Sequence, residues 1–130
     1  MSDAQLVSQI NDAIGAHGIW KMRLKTAVST GECDISVHDA ACDNKCKFGQ
    51  WLYSTALSPT LKGGVPYQVV KRLHTDFHRA AGDVLADALA GRTQAAGAKL
   101  QGEFAERSEK LVRALTKWKA EAQSKGRNAA

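Results

Sequence analysis

The stretch His74-Thr75-Asp76-Phe77-His78 contains two of the four histidines of this 130-residue chain, four positions apart. On an α-helix that spacing places both imidazoles on one face, about one turn apart. A histidine buried in a helical core needs a hydrogen bond or a metal ion. The same face is otherwise apolar with helical spacing, through Val70, Leu73, Phe77, Ala81, Leu85 and Leu89. The stretch therefore predicts a helical core assembled around a metal ion, with further ligands elsewhere in the chain.

Length and composition favour a single helical domain over residues 1–130. A chain of this length can bury a sizeable core, and it contains only two prolines. No apolar run reaches the length of about 18 residues that a membrane-spanning helix needs. The first residues lack the basic segment and apolar centre of a signal peptide. Together these features predict a cytoplasmic protein that does not insert into membranes.

The charge of the chain gives no clear indication of a nucleic-acid partner. The formal net charge is +5, from 18 basic and 13 acidic residues. A nucleic-acid interface would concentrate the basic residues on one face and interleave them with aromatic side chains. Here they are scattered, and the richest segment is the C-terminal tail with Lys117, Lys119, Lys125 and Arg127. We interpret this tail as a solvated helix end rather than a site for an acidic partner.

Capping residues predict the ends of the first helix. Ser2 is a good N-cap, and Gln5 stands three residues later at the position of a capping box. Gly31 follows Thr30 and is typical of a helix C-terminus. The apolar stripe of this helix contains one polar residue, His17, with the same signature as the pair at 74 and 78.

A connector and a short helix are predicted next. Residues 31–46 are rich in turn formers and cysteine, with one helical turn around 36–41. The short helix spans 46–54, with Asp43 or Asn44 as its cap. Its internal Gly49 costs about 1 kcal/mol in an exposed helix, so we expect a close backbone approach there. The same explanation is open for Gly18 in the first helix.

Two longer helices complete the predicted fold. Pro66 suits the start of a third helix that runs to Ala90. A fourth helix begins near Thr93 and continues to about Glu121, and the tail over 122–130 is expected to fray. The sequence thus predicts an all-α four-helix up-and-down bundle with a short inserted helix.

Four residues form the predicted metal site, and they come from three helices. They are His17, Cys46, His74 and His78. A structural zinc ion takes four nitrogen or sulfur donors at about 2.0–2.3 Å, which three imidazoles and one thiolate supply. We predict one zinc ion per chain, with metal binding coupled to folding. Four protein ligands leave no open position for a reacting water, so we expect no enzymatic activity.

Three segments resemble a known family. They are Ala16-His17-Gly18-Ile19-Trp20-Lys21, Cys46-Lys47-Phe48-Gly49-Gln50-Trp51-Leu52 and Leu73-His74-Thr75-Asp76-Phe77-His78. In order and spacing they look like the H-x-x-W, C-x-x-G-x-W and H-x-x-x-H elements of the chemoreceptor zinc-binding (CZB) domain. The resemblance covers about residues 14–82 and is specific only when the three segments are taken together. It implies a zinc ion held by three histidines and one cysteine in a helical bundle.

The resemblance also implies a regulatory role. Such domains usually lie at one end of bacterial cytoplasmic chemoreceptors or diguanylate cyclases, commonly as homodimers, and respond to zinc or to oxidants. It therefore implies a homodimeric module of chemotaxis or cyclic-di-GMP control, with a chemoreceptor or a cyclase as possible partner. The chain has no signalling-helix repeat and no cyclase domain. We interpret it as a stand-alone member or as a domain cut from a longer chain.

Two other functions are open at this point. A metal-free helical interaction module would place the same histidines in the core without an ion. A histidine phosphotransfer protein is also a four-helix bundle, but it needs an exposed histidine, typically followed by a Lys-Gly pair three or four residues later. A di-iron bundle needs Glu-x-x-His pairs, and the sequence has none.

The remaining cysteines and two nearby carboxylates each have more than one interpretation. Cys33 and Cys42 are buried apolar side chains, oxidation partners for Cys46 or alternative ligands. Asp43 and Asp76 are outer hydrogen-bond acceptors for ligand N–H groups, or more simply a helix cap and a solvent-facing residue. No role is assigned to His38.

Overall fold

The structure is a computed structural model that describes residues 2–128, with side chains as far as Ser124. Across that part of the chain all regular structure is helical, which confirms the all-α class. The elements are α1 (Asp3–Thr30), α2 (Val37–Ala41), α3 (Lys47–Leu52), α4 (Pro59–Lys62), α5 (Val65–Leu89), α6 (Thr93–Lys99), a π-helical segment (Leu100–Phe104) and α7 (Ala105–Asn128). None of the helices in residues 2–128 combines the length and hydropathy required to cross a bilayer.

Three long helical runs form the bundle: α1, α5, and α6 continued through the π segment into α7. Each packs against the other two, and the largest fully buried side chains of the core come from all three, including Ile10, Leu24, Phe77, Leu85, Phe104 and Leu111. The short helices α2, α3 and α4 lie in the connection between α1 and α5. Residues 2–128 thus contain three long helical runs and three short helices. The sequence predicted four main helices in an up-and-down bundle, and this exact arrangement is not confirmed.

The ends of α1 are those that the sequence predicts. The Ser2 hydroxyl accepts a hydrogen bond from the Gln5 backbone N–H at 3.1 Å, and the Gln5 side chain accepts one from the Ser2 N–H at 2.9 Å. This reciprocal pair satisfies two backbone donors that have no partner inside the helix. At the other end Gly31 adopts a φ of 73°, a conformation that favours glycine.

The structure differs from the prediction in three further respects. The π-helical segment interrupts the last helix, whose sequence carries no signal for it. α7 continues to Asn128, so residues 122–128 of the predicted frayed tail are helical, and Ala129 and Ala130 lie outside the described residues. The predicted core stripe of α5 ends at Leu85, because Leu89 in the last turn is 39% exposed.

Candidate metal centre

The four predicted ligands lie together in the core of the bundle. Their nearest donor atoms all lie within 4.8 Å of one another. The Nε2 atom of His74 lies 3.0 Å from Nε2 of His17, 3.1 Å from Nε2 of His78 and 3.4 Å from Sγ of Cys46. Around a tetrahedral zinc ion, nitrogens would be about 3.3 Å apart and a nitrogen about 3.6 Å from the sulfur, given the usual bond lengths. The three distances at His74 are therefore close to those of a zinc site, and the whole group of donor atoms spans at most 4.8 Å.

Two backbone carbonyl groups orient the imidazoles of His17 and His78. The Nδ1 atom of His17 is 2.7 Å from the carbonyl oxygen of Ala13, and Nδ1 of His78 is 3.0 Å from that of Ala40. A carbonyl oxygen only accepts, so each Nδ1 carries the proton and each Nε2 presents a lone pair. Both lone pairs point at His74, whose Nε2 is the third inward-facing nitrogen. A proton on Nε2 of His74 can be donated to only one of these two lone pairs, whereas a metal ion can accept all three nitrogens, so the geometry fits a metal ion.

The three imidazoles are held in the neutral form that binds metals. Burial lowers the pKa of His17 to about 4 and that of His74 to about 2. Burial also lowers the pKa of His78, although its hydrogen bond to Ala40 opposes this effect. Since only a neutral imidazole has a free lone pair, all three nitrogens are ready to act as ligands at neutral pH.

These pKa values predict how the metal-free protein responds to acid. In the unfolded chain a histidine titrates near 6.5, whereas the folded pKa values of His17 and His74 are about 4 and about 2. Between these limits the unfolded state binds more protons, so the free energy of unfolding must fall as the pH drops below about 6.5. We expect a loss of up to about 2 kcal/mol for each of the two histidines at about pH 5.

Urea denaturation of chelator-treated protein at several pH values would measure this loss. A matched control is the His38→Ala variant, because His38 is exposed. Its acid sensitivity should equal that of the wild type. A free energy of unfolding that stays constant from neutral pH to about pH 5 would contradict the prediction.

Cys46 occupies a helix terminus as well as the donor set. It is the N-cap of α3, and its Sγ accepts a hydrogen bond from the Gly49 N–H at 3.3 Å. The prediction that Asp43 or Asn44 caps this helix is therefore wrong, because the sulfur takes that role. Burial raises the pKa of the Cys46 thiol. A metal ion reverses that preference, since a coordinating thiol is deprotonated.

Gly49 is required by a close backbone approach, as its place inside a helix suggests. A Cβ at this position would lie 1.7 Å from the carbonyl oxygen of Asp43, so the turn before α3 packs directly against the helix backbone. The parallel expectation for Gly18 is wrong, because a Cβ there would meet nothing within 4 Å. Of these two glycines, only Gly49 lies at a close backbone approach.

A comparison with protein families agrees with this geometry. A model of the chemoreceptor zinc-binding domain matches residues 17–85, which is more than half of the chain. The chain belongs to the chemoreceptor zinc-binding domain family. The matched region begins at His17 and includes Cys46, His74 and His78. No curated protein and no solved structure shows significant similarity to the chain. The CZB family is zinc-binding, and this member has a His3Cys group that can hold a metal ion.

Aromatic rings enclose the centre of this CZB domain. The ring of Phe77 lies edge-on to His17 with centroids 5.0 Å apart, and Phe48 lies edge-on to His74 at 5.2 Å. Trp20 covers His78 at 5.6 Å. The three imidazoles are at most 2% exposed. Electrostatic interactions inside such an apolar enclosure are stronger than in water.

The role of Gly82 was not predicted from the sequence. This glycine brings α2 against α5. A Cβ on Gly82 would lie 2.6 Å from the Cβ of Ala41. This approach lets the neighbouring carbonyl of Ala40 reach the His78 imidazole. A glycine inside a strongly periodic helix is the signal that could have indicated it.

Neither predicted carboxylate accepts a ligand N–H among the described residues. Asp76 instead pairs with Arg107 of α7, at 3.3 Å. The carboxylate of Asp43 accepts hydrogen bonds from the hydroxyl groups of Thr75, at 2.6 Å, and of Tyr53. Burial opposes ionisation of Asp43, but these bonds outweigh it and lower the pKa of the carboxyl group. Burial and the neighbouring carboxylate raise the pKa of Tyr53 to about 12, so the phenol is the donor.

The other cysteines lie outside the donor set. Sγ of Cys42 is 3.8 Å from Nε2 of His38, and Sγ of Cys33 is 3.7 Å from the Asp34 carboxylate. All three cysteines of the CZB domain are free thiols in the structure. Neither Cys33 nor Cys42 joins the group of four donors, so the structure brings together only the predicted ligands.

Proposed function

We propose that this CZB domain is a regulatory module that holds one zinc ion per chain through His17, Cys46, His74 and His78. The observation that carries the proposal is the convergence of three Nε2 atoms and one sulfur within 4.8 Å in the core. Two of the imidazoles already have their Nδ1 protons committed to backbone carbonyl groups. The donor set is thus oriented for a cation before one binds.

We also propose that the centre is not catalytic. Four protein donors complete a tetrahedron, whereas catalytic zinc keeps one position for water or substrate. The alternative of a histidine phosphotransfer protein has no support from the geometry. That reaction needs an exposed imidazole, and His74 is 0% exposed. The remaining alternative is a metal-free helical interaction module, which zinc analysis distinguishes.

Cys46 is the proposed point at which a stimulus acts. A zinc-bound thiolate can attack a two-electron oxidant such as hydrogen peroxide. The sulfur then forms an S–O bond, the O–O bond breaks, hydroxide leaves, and the thiolate becomes a sulfenic acid. A sulfenic acid is a poorer ligand, and Cys46 caps α3. Oxidation and loss of zinc would therefore each remove one of the contacts that hold α3, which we propose as the two-state element.

A homodimer is the proposed assembly, and the exposed face of α1 supports it. Ile19 and Met22 are 60% and 64% exposed. With Gly15 and Gly18 they have the spacing of one helix face, and both glycines border open space. Large side chains of a second copy could fill these gaps. By analogy with the family, we propose a cytoplasmic role in chemotaxis or cyclic-di-GMP control, with a chemoreceptor or diguanylate cyclase as partner.

Native mass spectrometry of the purified protein tests the central proposal. We expect one zinc ion per chain in the wild type, and weakened or lost zinc in the Cys46→Ser variant, because a serine hydroxyl is a poor zinc ligand. The Cys42→Ser variant is the matched control and should retain zinc. Treatment with peroxide should release zinc from both the wild type and the control.

Two outcomes would contradict these statements. A folded wild type purified without chelator and free of metal would reject the zinc proposal and favour the metal-free interaction module. Zinc that stays bound after Cys46 has been oxidised would reject the sensing mechanism but leave the zinc site intact.

A further inference from the structure

Asp43 connects the cysteine side of the centre to the histidine side without contacting the ligand nitrogens. Its Oδ2 atom accepts a hydrogen bond from Thr75, the residue that follows His74 in α5. The same oxygen accepts one from the hydroxyl of Tyr53, which follows the last residue of α3. Asp43 itself lies three residues before Cys46. One carboxylate thus joins three segments that are separate in the sequence.

The short helix α3 has contacts at several points along its length in this arrangement. Cys46 caps its first turn and Tyr53 caps its last. Between them, the backbone of Gly49 packs against the carbonyl oxygen of Asp43. Asp43 therefore contacts α3 at its middle through the main chain and at its far end through the side chain. These two contacts hold α3, and with it the Cys46 sulfur, against the Asp43 segment.

We propose that Asp43, Tyr53 and Thr75 form a latch that positions the Cys46 sulfur for zinc and limits its exposure to reagents. The inference rests on the zinc site proposed above. Asp43 is a positioning residue, since it acts through Cys46 and not on the ion itself. Groups that orient ligands in this way typically change metal affinity by about 10–100-fold when they are removed.

The negative charge of Asp43 also favours zinc binding. A dication with one thiolate and three neutral imidazoles has a formal charge of +1. The ionised Asp43 carboxylate would supply the opposite charge from outside the donor set. Both donors to Asp43 are hydroxyl groups, so no other cation competes for the carboxylate through these bonds. The charge of the buried centre needs such a partner, because an isolated charge in surroundings of low dielectric constant is costly.

The Asp43→Ala and Thr75→Val variants test the latch by two measurements, because alanine at position 43 leaves no acceptor for either hydroxyl group. The first is zinc affinity, by competition with a chromophoric chelator, and we expect it to fall by about 10–100-fold in both variants. The second is the alkylation rate of Cys46 in metal-free protein by iodoacetamide. That measurement uses a Cys33→Ser, Cys42→Ser background so that only Cys46 reacts. We expect faster alkylation in both variants, because the Cys46 turn is no longer held against α5.

Asp76→Ala is the matched control, because Asp76 follows Thr75 in α5 and pairs with Arg107 instead. It should keep wild-type values in both measurements. Thr75→Val preserves side-chain shape, so it remains informative if Asp43→Ala fails to fold. Unchanged affinity and unchanged alkylation in the folded variants would overturn the latch while leaving the zinc site valid. A wild type that does not bind zinc would overturn the proposed function, and the alkylation rates would then test the latch alone.

Discussion

Replacing His74 with alanine should abolish zinc binding by this CZB domain. The Nε2 atom of His74 lies within 3.4 Å of the donor atoms of His17, His78 and Cys46, so it is adjacent to all three other donors. Its loss leaves three donors and opens the aromatic enclosure. We expect the affinity to fall by more than the roughly 100-fold that marks the removal of an outer positioning group.

The metal-free variant should nevertheless fold. Truncation of a buried ring leaves a cavity that costs about 2–4 kcal/mol. It also removes an imidazole whose Nδ1 is buried without a hydrogen-bond partner among the described residues. An unsatisfied buried donor costs about 1–3 kcal/mol, so the two effects largely offset each other. In the presence of zinc, by contrast, the wild type gains the whole binding energy and the variant gains none.

Thermal unfolding with and without zinc would measure this difference, together with chelator competition. The control is His38→Ala, because His38 is exposed and its ring contacts Cys42 rather than the donor set. The control should be stabilised by zinc as strongly as the wild type. Zinc bound to His74→Ala with wild-type affinity would show that the four donors do not form the site.

The second large effect is expected from Gly49→Ala, which adds a single methyl group. The added carbon would lie 1.7 Å from the carbonyl oxygen of Asp43, and its next contacts are also backbone atoms. No side-chain rotation can relieve a clash with backbone, so the turn that contains Asp43 and the helix that begins at Cys46 must separate. Overpacking of this kind typically costs about 1–3 kcal/mol, and we expect the upper end of that range.

Zinc binding should suffer with stability, because Cys46 lies between the two displaced segments. Gly18→Ala is the matched control, since it makes the same chemical change in α1, which is another helix of the region that matches the family. A Cβ on Gly18 meets nothing within 4 Å, and alanine is favoured over glycine in an exposed helix by about 1 kcal/mol. Chemical denaturation should show stabilisation in the control and destabilisation in Gly49→Ala. Equal stability of the two variants would contradict the packing argument.

The local features of the fold were predictable because their determinants lie close together in the sequence. Ser2 and Gln5 cap α1 through atoms three residues apart, and Gly31 ends the helix by its own backbone conformation. The periodicity around His74 placed that residue in the core, where it is 0% exposed. The pattern failed at Leu89, because the last turn of a helix can leave the bundle while its periodicity continues.

The outer contacts of the centre were not predictable for the opposite reason. The acceptor for His78 is the carbonyl oxygen of Ala40, 38 residues away in the sequence. Every residue carries a backbone carbonyl group, so the residue type at position 40 does not reveal this contact. Asp43 looked like a helix cap, but the capping atom is the sulfur of Cys46. Side-chain type does not reveal which backbone group a distant segment will bring near.

The sequence alone therefore determined the helical class and the ends of α1, and it predicted the four residues that form the candidate donor set. Those properties depend on residue type, on periodicity and on spacing within a few residues. Only the tertiary structure decided that the donor atoms converge, although His17 and His74 are 57 residues apart. It also decided that three long helical runs build the bundle and that Asp43 joins α3 to α5. These are consequences of packing between distant segments, which no local pattern encodes.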